Sequence, residues 1–451
     1  MLFGDKILEY KDELMADLKT LMRFESVDGV NNEECKNALD FIMKRAEDFG
    51  LCAEQVTDKS AHVTLGDKGK LCGVLSHLDV VPEGGNWSVP AFDLTEKDGR
   101  LYGRGIADDK GASIINLYCL RALKESGVEG KNTVRAIYGT AEETGMEDMD
   151  RYFEKMPVPD MSFTPDSEYG IGFAEKGILR FKVSSKNDAK VLTQFHAGNA
   201  VNAVPDRAYA IVDSSSYDES ALMKLADESK GSFEFQNTID GLMIFSKGVA
   251  AHACMVDKGV NAASALVELL SKAYEGKDLG SVCSFLNYAV HNETDGRSFG
   301  LKMSDCVSGP LTLNLGIVDI EEDVATAQID IRYPVTVCGD FIIKQFKKVA
   351  KNSDLKVEVT GHEKPLYVEK DSELVQLLSE AYESVTGEKA ELYTTGGGTY
   401  ARKLGGKGVG FGPVFRGDDV HMHNADESMD KENFFRHAQI CLEALYRMYT
   451  L

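Results

Sequence analysis

Short apolar runs and helical spacings alternate through the first third of the chain. Leu71–Ser76 and Val134–Thr140 have the length of buried strands, and Gly111–Leu123 between them carries apolar residues at helical intervals. This alternation predicts an α/β architecture, a mostly parallel sheet covered by helices on both faces. The N-terminal stretch is an acidic amphipathic pattern, with Ile7, Leu14, Leu18 and Leu21 near helical spacing. From about Gly177 the period changes. Leu179–Val183, Ala208–Val212, Leu242–Phe245 and Ala325–Ile331 alternate in twos, between helical stretches at Ala262–Tyr274 and Phe341–Lys351, as a separate α+β domain would. From about Asp371 the helix–strand pattern resumes. It contains the glycine cluster Gly396, Gly397 and Gly398 and ends in an amphipathic helix over Lys431–Tyr449.

Composition narrows the field. A chain of 451 residues can bury a large core and is expected to form two or three domains. Its net charge of −23 leaves no basic surplus for phosphates, which argues against nucleic-acid and anionic-membrane partners. The N-terminus shows no basic segment followed by an apolar stretch, and no window approaches a membrane-spanning apolar run. Nine cysteines without C-x-x-C spacing are expected to be buried apolar thiols in a reducing compartment. A cytoplasmic enzyme is the expectation.

Candidate chemistry sits at the ends of the apolar runs. His77 lies in S-H-L-D, Asp108 in G-R-G-I-A-D-D-K-G, Glu143 in T-A-E-E-T-G, Asp166 in F-T-P-D and His423 in H-M-H-N-A-D-E. Two imidazoles and three carboxylates can hold a pair of zinc-class ions if one carboxylate bridges them. Residues two apart share a face in extended chain, so Asp79 can sit behind His77 and accept its free ring N–H. Glu142 and Glu143 diverge in an extended stretch, so one can bind metal while the other faces water. Asp108 and Asp109 stand at a helix entry, where capping is the alternative role, and Asp166 could likewise cap a helix or turn. His421 and His423 would share a strand face, so spacing does not choose between them. No H-E-x-x-H helix and no G-x-S-x-G elbow is present. The residues read as a two-metal hydrolase. If His423 joins the other ligands, the C-terminal segment returns to the first domain and the middle one is an insertion.

These motifs, with N-A-V-P-D and A-H-A…G-V-N-A between them, resemble in order the co-catalytic metallopeptidases. That family includes bacterial dipeptidases, carnosinases, aminoacylases and succinyl-diaminopimelate desuccinylase. The resemblance implies a catalytic domain in two segments, residues 1–178 and 366–451, with an inserted lid of residues 179–365. It implies His77 and Asp166 on one metal, Glu143 and His423 on the other, and Asp108 bridging through a D-x-K-G pattern whose Asp108–Asp109 bond is often cis. Glu142 would be the general base and Asp79 would orient His77. His252 would polarise the scissile carbonyl, while Asn202, Arg332 and the Gly397 turn would bind substrate. Without the resemblance, Arg332 reads as half of an ion pair and His252 as a core histidine. The lid motif departs from the family, reading A-A-H-A where a serine usually precedes and a glycine follows the histidine pair.

The enlarged lid, together with G-G-G-T-Y-A-R and F-G-P, is similar to the peptidase V-type dipeptidases, in which one chain supplies its own lid histidine. The resemblance therefore implies a monomer that hydrolyses unblocked dipeptides with two divalent ions, zinc or the manganese and cobalt that suit the same donors. The alternative is an amidohydrolase of N-acylated amino acids.

Overall fold

A strand buried on both faces reads as a continuous apolar run, and Leu71–His77 is such a strand, buried from Cys72 to its end. Its neighbours Thr133–Gly139 and Met161–Thr164 run parallel to it, and Gly408–Gly410 runs parallel to Met161–Thr164. These four strands are the centre of a nine-stranded sheet. Towards its edges pairing turns antiparallel, with Ser60–Leu65 and Cys52–Gln55 on one side and Ile171–Glu175 on the other.

The two faces of the sheet have separate cores, because successive side chains point in opposite directions. Val74 and Ala136 face the large core, which contains Leu14, Leu18, Leu117 and Leu442. Leu75 and Ile137 face a smaller one with Met149, Tyr152 and Tyr400. The computed structural model describes residues 2–213, 215, 219–229, 231–274 and 278–451. The chain divides into two units. One comprises Met1–Ala174, Leu366–Thr394 and Gly398–Leu451, the other Glu175–Pro365 and Thr395–Gly397.

In the first unit the expected helices are Lys110–Glu125 and Lys431–Thr450. The N-terminal amphipathic stretch is a 3-10 turn over Phe3–Tyr10 followed by an α-helix over Lys11–Leu21. Ile7, Leu14, Leu18 and Leu21 are all fully buried. The Phe3 ring stacks on Tyr446 with centroids 4.1 Å apart, which ties the two ends of the chain together.

The second unit is an eight-stranded antiparallel sheet. Its long strand Val324–Tyr333 alternates buried and half-exposed residues over its first half, as the period-two pattern requires. Helices Ala262–Ala273 and Gly339–Ala350 contribute to a core in which Phe181, Phe346 and Phe299 stack in series, with centroids 3.9 and 4.7 Å apart.

The cysteines meet the expectation of burial in part, with Cys35, Cys72, Cys119, Cys283 and Cys441 buried. All nine are free, but Cys52, Cys306 and Cys338 are exposed and Cys254 is half-buried. Cys52 opens the edge strand Cys52–Gln55, whose residues are exposed or half-buried. No described helix is long and apolar enough to cross a membrane.

Candidate metal centre

Ligand sites in open α/β sheets lie beyond the carboxyl ends of the parallel strands. His77 is the last residue of its strand and pairs with Gly139, so the Thr140–Glu143 turn begins where His77 ends. Asp166 follows the Met161–Thr164 strand on the other side of the His77 strand. Asp108 comes just before helix Lys110–Glu125, and His423 lies in the loop that leads to the short strand Ser428–Asp430.

The structure brings all five together. Asp108 Oδ1 is 2.9 Å from His77 Nε2, and its Oδ2 is 2.8 Å from His423 Nε2. Glu143 Oε1 lies 3.1 Å from the same His423 nitrogen, and Asp166 Oδ2 lies 3.9 Å from His77 Nε2. One carboxylate therefore spans two imidazoles, with a further carboxylate on each side. Donor atoms of His77, Glu142 and Asp166 lie within 4.8 Å of one another, as do those of Asp108, Glu143 and His423. The Asp108–Asp109 peptide is cis.

The donor set fits divalent cations. His77 Nδ1 lies 2.9 Å from the Asp79 carbonyl, which can only accept, so this nitrogen carries the proton and Nε2 is turned towards Asp108 and Asp166. Burial opposes charge on both rings, yet the carboxylates win: Asp108 and Asp79 raise His77, while Asp108 and Glu143 raise His423 to about 11. The same negative field that favours a proton on these rings favours a divalent cation between them. Burial, and then the charge of Asp166, lifts the Glu142 carboxyl well above its usual range, and burial raises Asp166 and Glu143 as well. Glu142 Oε1 is buried without a hydrogen-bond partner among the described residues. Buried carboxylates gathered in this way are compensated when they coordinate cations.

Three findings add to the roles read from sequence. The Asp79 carboxylate is not the nearest partner of the His77 ring; its Oδ1 is 3.5 Å away. Its two oxygens accept the backbone N–H groups of Glu142 and Glu143 at 3.2 and 3.1 Å. Asp148, which no sequence signal marked, accepts those of Thr140 and Ala141 at 2.8 and 3.0 Å and also the Tyr400 hydroxyl. Two buried carboxylates thus hold four consecutive N–H groups of the turn that carries Glu142 and Glu143.

Glu427, the last residue of H-N-A-D-E, is the second finding. Its Oε2 pairs with Arg104 Nη1 at 2.6 Å, and its Oε1 accepts N–H from Gly105, Ala107 and Asp108 at 3.1, 3.0 and 3.3 Å. It clamps the loop that carries Asp108 to the segment that carries His423.

The third finding concerns the histidine pair. His421 and His423 both have positive φ, 54° and 62°, so strand periodicity does not apply to them. His421 turns to Asp419, and His423 alone reaches the cluster.

The other predicted residues lie in the second unit. His252 is on the short strand Ala251–His252, paired with Ala203–Val204, and Asn202 O accepts the Ala253 N–H at 2.8 Å. Asn202 and His252 are therefore neighbours. Arg332 is buried and forms a fork with Asp330, with Nε to Oδ1 at 2.6 Å and Nη2 to Oδ2 at 3.0 Å. Its Nη1 donates to Gly396 O at 2.9 Å. The ion-pair role open to Arg332 from sequence is thus present. The i, i+2 spacing of Asp330 and Arg332 on one strand face was its signal. Gly397 N–H donates to Thr395 Oγ1 at 3.0 Å. A third cluster, His196 between Asp319 and Glu321, has each ring nitrogen facing one carboxylate and reads as a polar surface group.

Comparison with known proteins agrees with this geometry. Residues 73–447 match the model of peptidase family M20/M25/M40. A Staphylococcus saprophyticus protein named "putative dipeptidase" is 31% identical over 466 residues, covering 99% of both chains. One of the same name from Staphylococcus haemolyticus is 30% identical over 472 residues, again covering 99% of each. Among solved structures, the M20 family metallo-carboxypeptidase Sso-CP2 from Sulfolobus solfataricus superposes with a TM-score of 0.62 at 16% identity, covering 97% of this chain and 99% of that one. Human carnosine dipeptidase 1 gives 0.59 at 14% identity, covering 100% and 99%. The chain belongs to peptidase family M20/M25/M40 and is a hydrolase of peptide bonds.

Proposed function

We propose that this peptidase is a metal-dependent dipeptidase that hydrolyses unblocked dipeptides. The observation that carries the metal dependence is the Asp108 carboxylate, with one oxygen turned to His77 and the other to His423. Asp166 would complete the His77 side and Glu143 the His423 side, and zinc, manganese and cobalt all suit such donors. Bound there, two cations would polarise the scissile carbonyl and lower the pKa of a water.

The chain's own residues do the rest. Glu142 takes a proton from the attacking water and returns it to the leaving amine. Its buried Oε1, which has no hydrogen-bond partner among the described residues, and its raised carboxyl suit it to hold that proton. Asp79 and Asp148 keep it in place through the backbone of its turn. His252 donates to the carbonyl oxygen as charge develops there, and Asn202 borders it. Arg332 spends three of its five N–H groups on Asp330 and Gly396, leaving two for a substrate carboxylate beside the Gly397 turn. The size of the inserted segment, residues 179–365, supports its serving as the lid of a monomer, with His252 acting on the site of its own chain.

The free-dipeptide substrate is supported by the two staphylococcal relatives, which match along their full length and carry a dipeptidase name. The test is to strip the protein with chelator and restore zinc, manganese or cobalt. Free dipeptides are then assayed beside their N-acetylated counterparts. Metal-dependent cleavage confined to free dipeptides is expected, whereas turnover of the acetylated compounds alone would make it an aminoacylase-type amidohydrolase.

A further inference from the structure

We infer that Cys254 is a positioning residue that fixes the ring tautomer of His252, so that Nε2 carries the proton. This rests on the proposed role of His252 at the substrate carbonyl. After the strand Ala251–His252 the chain turns into the 3-10 segment Ala253–Lys258, whose first residues have N–H groups without helical partners. The His252 side chain caps this turn: its Nδ1 accepts the backbone N–H of Cys254 at 3.3 Å. The same Nδ1 lies 2.8 Å from Cys254 Sγ. One residue thus presents both its N–H and its thiol to one ring nitrogen.

A backbone N–H can only donate, so where this bond is made Nδ1 offers a lone pair and the ring proton lies on Nε2; at 3.3 Å the bond is long, and the thiol reinforces it. The same reasoning excludes a thiolate–imidazolium pair, because an imidazolium would turn a proton on Nδ1 against the Cys254 N–H. Burial raises the Cys254 thiol further, which keeps its proton on sulfur as a second donor. The opposite tautomer would point a lone pair at a developing oxyanion and repel it.

Packing holds Cys254 in this position. A Cβ added to Gly396 would lie 2.4 Å from Cys254 Cβ, so only glycine permits the approach. The carbonyl of Gly396 is held by Arg332, which the Asp330 fork holds in turn. On the other side, Thr312 Oγ1 donates to Ala253 O at 3.0 Å. Arg332 therefore supports His252 through Gly396 and Cys254.

The experiment uses the full metal-loaded chain in three variants. C254A keeps the backbone N–H but loses the thiol, and C254S restores a side-chain donor. H252Q removes the ring and assigns its signal. With ¹⁵N-labelled histidine, the wild-type ring of His252 is expected as the Nε2–H tautomer, and C254A, left with only the long 3.3 Å bond from the backbone N–H of residue 254, as a mixture of the two. Steady-state kinetics should show kcat of C254A down about three- to tenfold, as one neutral hydrogen bond is worth, with KM nearly unchanged and C254S close to wild type.

An Nδ1–H tautomer in the wild-type protein would overturn the inference, and this spectrum needs no variant that folds poorly. C254S as slow as C254A would also overturn it, because packing rather than donation would then be at stake. If H252Q keeps wild-type kcat, the role of His252 itself is wrong. If H252Q is slow while C254A matches wild type in kcat and tautomer, that role stands and the inference falls.

Discussion

Replacing Glu427 by alanine should unfasten the loop of Asp108 from the segment of His423. Glu427 and Arg104 are both buried, with side-chain exposures of 0% and 1%. The substitution leaves the Arg104 guanidinium without its carboxylate and the N–H groups of Gly105, Ala107 and Asp108 without an acceptor. Removing one partner of a buried ion pair costs about 3–5 kcal/mol. The orphaned N–H groups add to this in part, since relaxation lets water reach some of them. A loss of about 4 kcal/mol is a large share of the roughly 5–15 kcal/mol that holds a domain folded.

The molecule carries its own reporter. Its single tryptophan, Trp87, lies under the Arg104 guanidinium at 5.2 Å and donates to Glu83 O at 2.7 Å. Urea unfolding followed by Trp87 fluorescence, with circular dichroism as a second probe, measures the change. E427A should lower the midpoint of the transition seen by tryptophan and blue- or red-shift the native emission. E427Q, which keeps the oxygen facing the three N–H groups, should lie between E427A and wild type. An E427A transition within about 1 kcal/mol of wild type, the scale of a surface change, would refute the clamp.

Substituting Glu142 by glutamine should abolish turnover while metal content and unfolding stay near wild type; near-native kcat would remove it as the base. D79N and D148N each weaken the anchoring of the Thr140–Glu143 turn and should lower kcat about tenfold or more, because an amide cannot accept as a carboxylate does. Retained kcat in both would show that the turn holds itself. His437 is fully buried, and burial lowers its ring to about 3 while Nδ1 faces the Tyr169 hydroxyl at 2.8 Å. Its folded value lies below the unfolded one, so the unfolded chain binds the extra proton. Its contribution is whole above about pH 6.5 and is lost as pH falls towards 3, by at most about 1.4 kcal/mol per pH unit. Urea titrations between pH 6.5 and 5 should show a shallower slope in H437Q than in wild type, and equal slopes would contradict the neutral buried ring.

The α/β architecture was legible because the central strands are buried on both faces and so read as unbroken apolar runs. The chemistry-bearing residues stood out because each ends such a run. What the sequence hid was support. Asp148 and Glu427 act on backbone N–H groups, which leave no periodic trace, and the partners of Asp79 lie about sixty residues away along the chain. The choice between His421 and His423 was hidden for a different reason. Positive φ at both replaces the alternation of a strand with a loop geometry that spacing does not encode. The N-terminal helix broke into two kinds of turn at Tyr10, whose φ of −102° and ψ of 8° leave the helical region although the apolar spacing continues.

Metal stoichiometry of the wild type beside D108A tests the proposed bridging role of the Asp108 carboxylate most directly. After stripping, equilibrium dialysis against zinc or manganese with elemental analysis should find two ions per wild-type chain. Turnover of a free dipeptide should return in step with their binding. D108A should bind markedly fewer ions at the same free concentration and stay inactive. Two tightly held ions in D108A, or wild-type turnover that survives complete stripping, would contradict the two-metal centre.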